Sequence, residues 1–112
     1  MGSIGETIAL RFLLKNGFDV LARNFRIGKG ELDLIAYQGE ELVFVEIKTR
    51  SRADDFAPQL AVTPAKEEQI LRLARAFRHR YGLEEMPVRF DVVAVTLREE
   101  REPKVEHFVK AF

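Results

Sequence analysis

No cysteine occurs in the 112 residues of the chain. That single absence excludes a disulfide scaffold, a thiolate zinc site and a cysteine nucleophile, and it fits a reducing compartment. No stretch approaches the roughly 18 consecutive apolar residues of a membrane-spanning helix. Neither sign of charge is in excess, since 18 Lys and Arg stand against 18 Asp and Glu. A protein that coats nucleic acid by bulk electrostatics would carry a surplus of base, so that class is set aside, while a local basic patch is not. Repeats, low-complexity tracts and linkers rich in Pro, Gly or Ser are missing too, which argues for one domain over residues 1–112. The N-terminal apolar stretch is interrupted by Glu6, Arg11 and Lys15. A secretory signal would be unbroken there, so the cytoplasm is the expected location, with no membrane partner.

What is present has the make-up of a globular domain, with 46% hydrophobic and 32% charged residues, enough to bury a core. In residues 4–16, Ile4, Ile8, Leu10, Leu13 and Leu14 fall mostly at helical spacing, and Gly17 closes the pattern. Ser3 and Glu6 have the spacing of a capping box. Residues 18–25 predict a first strand, and Arg26 to Gly30 a flexible connection. GELDLIAY (30–37) and ELVFVEIK (41–48) predict a hairpin, for which Gly39-Glu40 suits a two-residue type II′ turn. A second helix is expected over 63–81, with Thr63 as N-cap, Pro64 in the first turn and Gly82 just past the end. Its apolar face is Ile70, Leu73, Ala74, Phe77 and Tyr81, with Arg72, Arg75 and Arg78 turned away. RFDVVAVTL and VEHFVKAF supply two last strands. The order α-β-β-β-α-β-β describes an α/β fold, a central mixed sheet flanked by helices.

A hairpin turning on Gly39-Glu40 sets Gln38 opposite Glu41, Ile35 opposite Phe44 and Asp33 opposite Glu46. Lys48 then projects on the same side as Glu46, opposite Glu31. Two carboxylates about 5 Å apart repel by roughly 3 kcal/mol at an effective dielectric of 20. A divalent cation between them turns that repulsion into a binding site, and oxygen ligands alone favour Mg²⁺ or Mn²⁺ over zinc. The lysine beside them can hold a phosphate or orient a water, which together suits metal-assisted phosphodiester cleavage. An acid-x-Lys triplet is weak by itself: Glu102-Pro103-Lys104 is a second one, in a segment broken by proline. Glu46-Ile47-Lys48 stands apart because it lies on a strand opposite another acid. A solvated charged face is the competing explanation.

Gly30-Glu31-Leu32-Asp33-Leu34-Ile35-Ala36 followed by Phe44-Val45-Glu46-Ile47-Lys48-Thr49-Arg50 resembles the core of the PD-(D/E)xK nuclease superfamily. More closely, the chain resembles the YraN family, bacterial proteins related to archaeal Holliday junction resolvases. The likeness takes in Gly5-Glu6, Asn24, Lys66, Arg89-Phe90-Asp91-Val92-Val93 and Ala111-Phe112, and so spans nearly the whole sequence. It departs at Leu32, where the superfamily's name has proline. It implies a restriction-endonuclease-like fold in which Asp33 and Glu46 hold the metal, Lys48 assists catalysis and Glu6 is an additional acid carried by a helix. It also implies a DNA substrate, branched like a Holliday junction, and a homodimer, because resolvase-like enzymes cut two strands together.

The same residues have structural alternatives. The capping box with Ser3 accounts for Glu6 without catalysis. Lys66, in the first turn of the second helix, is a candidate phosphate contact. Arg50, Arg52 and Arg26 are candidate nucleic-acid contacts, against a solvated loop. Gly28-x-Gly30 lacks a P-loop pattern and is expected to form a mobile loop. Asp91 is expected to pair with Arg89 or Arg26, and His79 and His107 are expected to be ordinary surface or strand histidines. A metal-dependent endonuclease is the leading function. The alternatives are a non-catalytic nucleic-acid-binding module on a nuclease fold and a scaffold that recruits partners.

Overall fold

A computed structural model describes residues 3–51 and 62–112. The elements follow the expected order: α1 (Ile4–Lys15), β1 (Asp19–Ile27), β2 (Gly30–Gln38), β3 (Glu41–Arg50), α2 (Pro64–Arg80), β4 (Val88–Thr96) and β5 (Lys104–Phe108). Local chemistry sets the helix starts. Ser3 Oγ accepts from the Glu6 N–H at 3.1 Å and Glu6 Oε1 accepts from the Ser3 N–H at 3.4 Å, so the capping box is complete. Thr63 Oγ1 accepts from the Lys66 N–H at 3.2 Å, and Pro64 follows in the first turn, where its missing N–H costs nothing. Gly39 takes a φ of +60°, the left-handed value that the first position of a II′ turn demands, and Gln38 pairs with Glu41 across it.

One five-stranded sheet results, in the order β1-β2-β3-β4-β5. β3 and β4 run parallel, with α2 between them in the chain, and the other neighbours are antiparallel. The two helices cover opposite faces. Ala9 and Leu13 of α1 pack with Leu34, Ala36, Val43, Val45, Val93 and Val95. Ile70, Leu73, Ala74 and Phe77 of α2 pack with Leu32, Ile35, Leu42 and Phe44. Covering both faces explains why β3 is apolar from Leu42 through Val45 rather than alternating. The fold class is the α/β arrangement expected, a mixed sheet flanked by helices.

Three expectations change. The connection from Arg26 to Gly30 is a tight hairpin: Arg26 and Ile27 belong to β1, Gly30 to β2, and Ile27 pairs with Gly30 around Gly28-Lys29. The last strand ends at Phe108, because Lys110 adopts a φ of +53° and turns the tail back, where Phe112 stacks on Phe90 at 5.3 Å. Tyr81, expected on the buried face of α2, caps the helix and is 50% exposed.

Gly5 decides how α1 meets the sheet. A Cβ at this position would collide with the Thr49 side chain, so the first turn of α1 lies directly on the end of β3. Only glycine permits that approach. It carries the adjoining Glu6 toward the end of the sheet at which β3 also presents Glu46 and Lys48.

Candidate functional site

The ladder between β2 and β3 runs from Gln38–Glu41 to Leu34–Val45 and stops one pair short of Asp33 and Glu46. β3 keeps pairing with β4 as far as Arg50–Thr96, so the opening lies on the β2 side alone. Asp33 fills it: its Oδ2 accepts from the Ile47 N–H at 2.9 Å, replacing a lost ladder bond. The expected meeting of Asp33 and Glu46 therefore occurs, across a gap between strands rather than as an opposed pair in a regular ladder.

Glu46 follows Leu42 and Phe44 along the α2 side of β3, with its side chain only 9% exposed. Two ammonium groups face its Oε2: Lys48 Nζ from the same strand at 3.7 Å, and Lys66 Nζ from the first turn of α2 at 3.9 Å. Burial pushes the Glu46 carboxyl up to about 7, and the Asp33 charge adds to the rise, against the pull of Lys66 and Lys48. Asp33 is also raised, chiefly by burial, while the Ile47 N–H and a hydrogen bond shared with Glu46 restrain it and Glu6 adds to the rise. Buried together, the two carboxyls resist ionising at once, and the pair is favoured with one proton between them.

Glu6 reaches this end of the sheet from α1, keeps its capping bond to Ser3, and accepts from Asn24 Nδ2 at 3.4 Å. Asp33, Glu46, Lys48, Glu6 and Lys66 thus meet at one end of the sheet, between the N-termini of the two helices. Three expected members do not join them. Glu31 pairs with Arg26, whose Nε lies 3.2 Å from its Oε2, because β1 extends far enough to set the two across the β1–β2 ladder. Arg26 itself is a rim residue, its side chain 76% exposed. Arg50 is corrected from a nucleic-acid contact to an internal tie: its side chain is 6% exposed, and Nε donates to Thr96 Oγ1 at 2.7 Å and Nη2 to Glu106 at 3.1 Å. The parallel pairing of β3 with β4 sets Thr96 beside it, and its guanidinium is taken up by these internal bonds. Arg52 lies outside the described residues.

A second charged group is structural. Asp91 is fully buried and accepts from Arg89 Nε and Nη2 at 3.0 and 2.9 Å and from the Lys110 N–H at 3.0 Å, while His107 Nε2 lies at 2.7 Å. Burial works to raise this carboxyl, but its bonds with His107, Arg89 and Lys110 outweigh it and hold the group below the ordinary aspartate value. Arg89 also reaches Glu41 at 2.9 Å. The expected partner Arg89 is the right one, and His107 is a half-buried member of the network, edge-on to Phe12.

The donor set fits a hard divalent cation. Asp33 and Glu46 bring adjacent carboxylate oxygens into a desolvated position where each makes the other's charge costly. Among the described residues no group of three or more His, Cys, Asp and Glu side chains is placed to hold a metal ion. A cation would therefore rest on these two carboxylates and complete its shell with water or substrate oxygens, as Mg²⁺ commonly does.

A model of the family described as Uncharacterised protein family UPF0102 matches residues 5–95. The chain belongs to the UPF0102 family. A UPF0102 protein of Geobacter sulfurreducens is 43% identical over 112 residues, covering 100% of this chain and 88% of the relative. Another, from Pelobacter propionicus, is 46% identical over 113 residues, covering 99% and 81%. The YraN likeness drawn from residues 30–36 and 44–50 is thereby shown for this UPF0102 member. Among solved structures, a chain of an EndoMS–dsDNA2 complex superposes with a TM-score of 0.51 at 21% identity, over 88% of this chain and 39% of that one. The two share a fold across nearly all of the UPF0102 chain and two fifths of the longer protein. No helix among the described residues is long and apolar enough to cross a membrane.

Sequence reasoning missed Asn24 as a member of the site. The family likeness takes in Asn24 but gives it no role. Its place in the site is set by a left-handed backbone, with a φ of +51°, and by its bond to Glu6.

Proposed function

We propose that this protein is a Mg²⁺- or Mn²⁺-dependent endonuclease acting on DNA. The observation that carries the reading is the convergence on Glu46 of one carboxyl and two ammonium groups, at an opening between strands. Acids and bases gathered in this way match the needs of phosphodiester hydrolysis: oxygens for a cation, and fixed positive charge for the phosphate.

Asp33 and Glu46 would hold the cation, which when bound supplies Lewis acidity at the phosphate and lowers the pKa of a coordinated water. The residues of this chain do the rest. Asp33 is fixed by the Ile47 N–H, so its orientation does not depend on ligand. Lys48, half-buried beside Glu46, is placed to hold a water or a non-bridging oxygen and to offset charge that builds on the phosphate. Lys66, on α2, faces the same carboxylate from the other side and offers a second phosphate contact. The likeness to a chain found on double-stranded DNA supports DNA as the substrate class, and the sequence resemblance to a family related to resolvases is the ground for proposing branched forms and a homodimer.

The test is cleavage of linear, nicked, flapped and four-way DNA with Mn²⁺, using wild type beside Lys48→Ala. Cleavage by wild type that falls by at least 100-fold in the variant supports the reading. Equal activity in both exposes a contaminant and refutes it. Salt-dependent DNA binding that survives Lys48→Ala, with no cleavage under any metal, establishes the non-catalytic binding module instead.

A further inference from the structure

The nuclease reading leaves one residue of the site without a role. Asn24 lies on β1 at the level of Asp33, since its neighbours pair as Arg23–Leu34 and Phe25–Leu32. Its backbone is left-handed, one of three non-glycine residues with positive φ in the described chain. The other two, Glu100 and Lys110, lie in turns near the C-terminus, whereas Asn24 lies within a strand. A positive φ inside a strand breaks the alternation of side chains. Ala22 and Phe25, three residues apart, both pack on the α2 side, where a regular strand would set them on opposite faces. Across the ladder Leu32 and Ile35 do the same, with Asp33 between them. The irregularity is therefore shared by both strands at the level where the site opens.

Asparagine is favoured among non-glycine residues in this conformation, but glycine would serve the backbone as well and lacks the amide. The amide has a target. Nδ2 donates to Glu6 Oε1, the same oxygen that accepts from the Ser3 N–H. Among the described residues these bonds occupy Oε1 alone and leave Oε2 available. Helix capping and a role in the site are thus compatible: Ser3 and Asn24 hold one oxygen, the other is left available, and the Glu6 charge is felt at Asp33.

We propose that Asn24 is a positioning residue whose amide fixes the Glu6 carboxylate at the site. It acts through Glu6 and touches neither cation nor substrate. The inference deepens the nuclease reading, so its test includes a measurement that does not need metal.

Wild type, Asn24→Gly, Glu6→Gln and the double variant are compared. Gln at position 6 preserves the capping box while removing the charge. In Mn²⁺ calorimetry Asn24→Gly is expected to weaken binding about 10-fold, because the Glu6 charge that it orients acts on the two ligands from outside the cation's own shell. Its urea midpoint should stay close to that of wild type, because the relief of backbone strain by Gly offsets the lost amide bond. In the Glu6→Gln background the Asn24→Gly change should cause no further loss of affinity, since the group it positions is already gone. Unchanged Mn²⁺ affinity in Asn24→Gly marks a purely structural residue and overturns the proposal. A 10-fold loss that persists in the Glu6→Gln background also overturns it.

Metal-free ¹H–¹⁵N spectra give the independent readout. The Asn24 side-chain amide resonances should shift in Glu6→Gln as a charge-assisted bond becomes a neutral one. If wild type binds no Mn²⁺, the nuclease reading falls, and this shift alone decides the role of Asn24: its presence sustains the Asn24–Glu6 tie, and its absence refutes it.

Discussion

Replacing Glu46 with Gln should make the protein more stable at alkaline pH. The carboxyl stands at about 7 in the folded chain, against 4.5 for a free glutamate, mainly because burial and the Asp33 charge penalise its ionised form. Between those values the unfolded chain has lost the proton and the folded chain still holds it. Stability must therefore fall as pH rises through this window. At about 1.4 kcal/mol per pH unit of difference, the full loss is roughly 3 kcal/mol above neutrality. The side chain is only 9% exposed, so solvent screening removes little of this. Lys48 and Lys66 are already counted, since without them the carboxyl would stand higher still. Gln keeps the shape and cannot ionise. In urea unfolding at pH 8.5 without metal, Glu46→Gln should exceed wild type by about 2–3 kcal/mol, a midpoint shift of roughly 1–3 M. At pH 4 the two should agree. Mn²⁺ at pH 8.5 should raise wild type toward the variant and leave the variant unmoved. A variant that is equal to or weaker than wild type at pH 8.5 would refute the claim that two buried carboxyls compete here.

Other expectations follow from the same geometry. Arg50→Met should cost about 2 kcal/mol in urea unfolding, by stranding Thr96 and Glu106, while leaving the salt dependence of DNA binding unchanged. Asp91→Asn should cost about 3 kcal/mol at pH 7, because a buried guanidinium loses its bidentate partner. The Asp91 carboxyl is held below its ordinary 3.8, so its contribution is present above that value and is lost as pH falls below it. Urea titrations of wild type and Asp91→Asn should accordingly converge in acid. Gly5→Ala should cost about 1–3 kcal/mol by forcing a Cβ onto Thr49, and Thr49→Gly should recover part of it. Chemical denaturation of the single and double variants measures that recovery.

Local chemistry in the sequence accounts for much of the fold. Ser3 with Glu6, Thr63 with Pro64, and Gly39 announce their caps and turn by residue type alone, and the Gly39 turn then sets the register of β2 against β3. Asp33, Glu46 and Lys48 were legible through that register. What lay hidden depends on partners distant in the chain. Arg50 reads as a loop cation until β4 is placed parallel to β3, which brings Thr96 to its side from 46 residues away. The β2–β3 register alone sets Glu31 with Lys48, whereas the longer β1 supplies Arg26 as its partner. The end of the β2–β3 ladder at Leu34–Val45, with the Asp33 carboxylate taking over a backbone bond, has no signature in residue type. Nor has the left-handed turn of Asn24 within a strand, where nothing but the Asn itself hints at the break.

The most direct test of the two-carboxylate site is calorimetric titration of Mn²⁺ into wild type, Asp33→Ala and Glu46→Ala at pH 8. One saturable site in wild type, weakened at least 10-fold by either substitution, is the expected result. Absence of binding in wild type, or affinity that both variants retain, would contradict it.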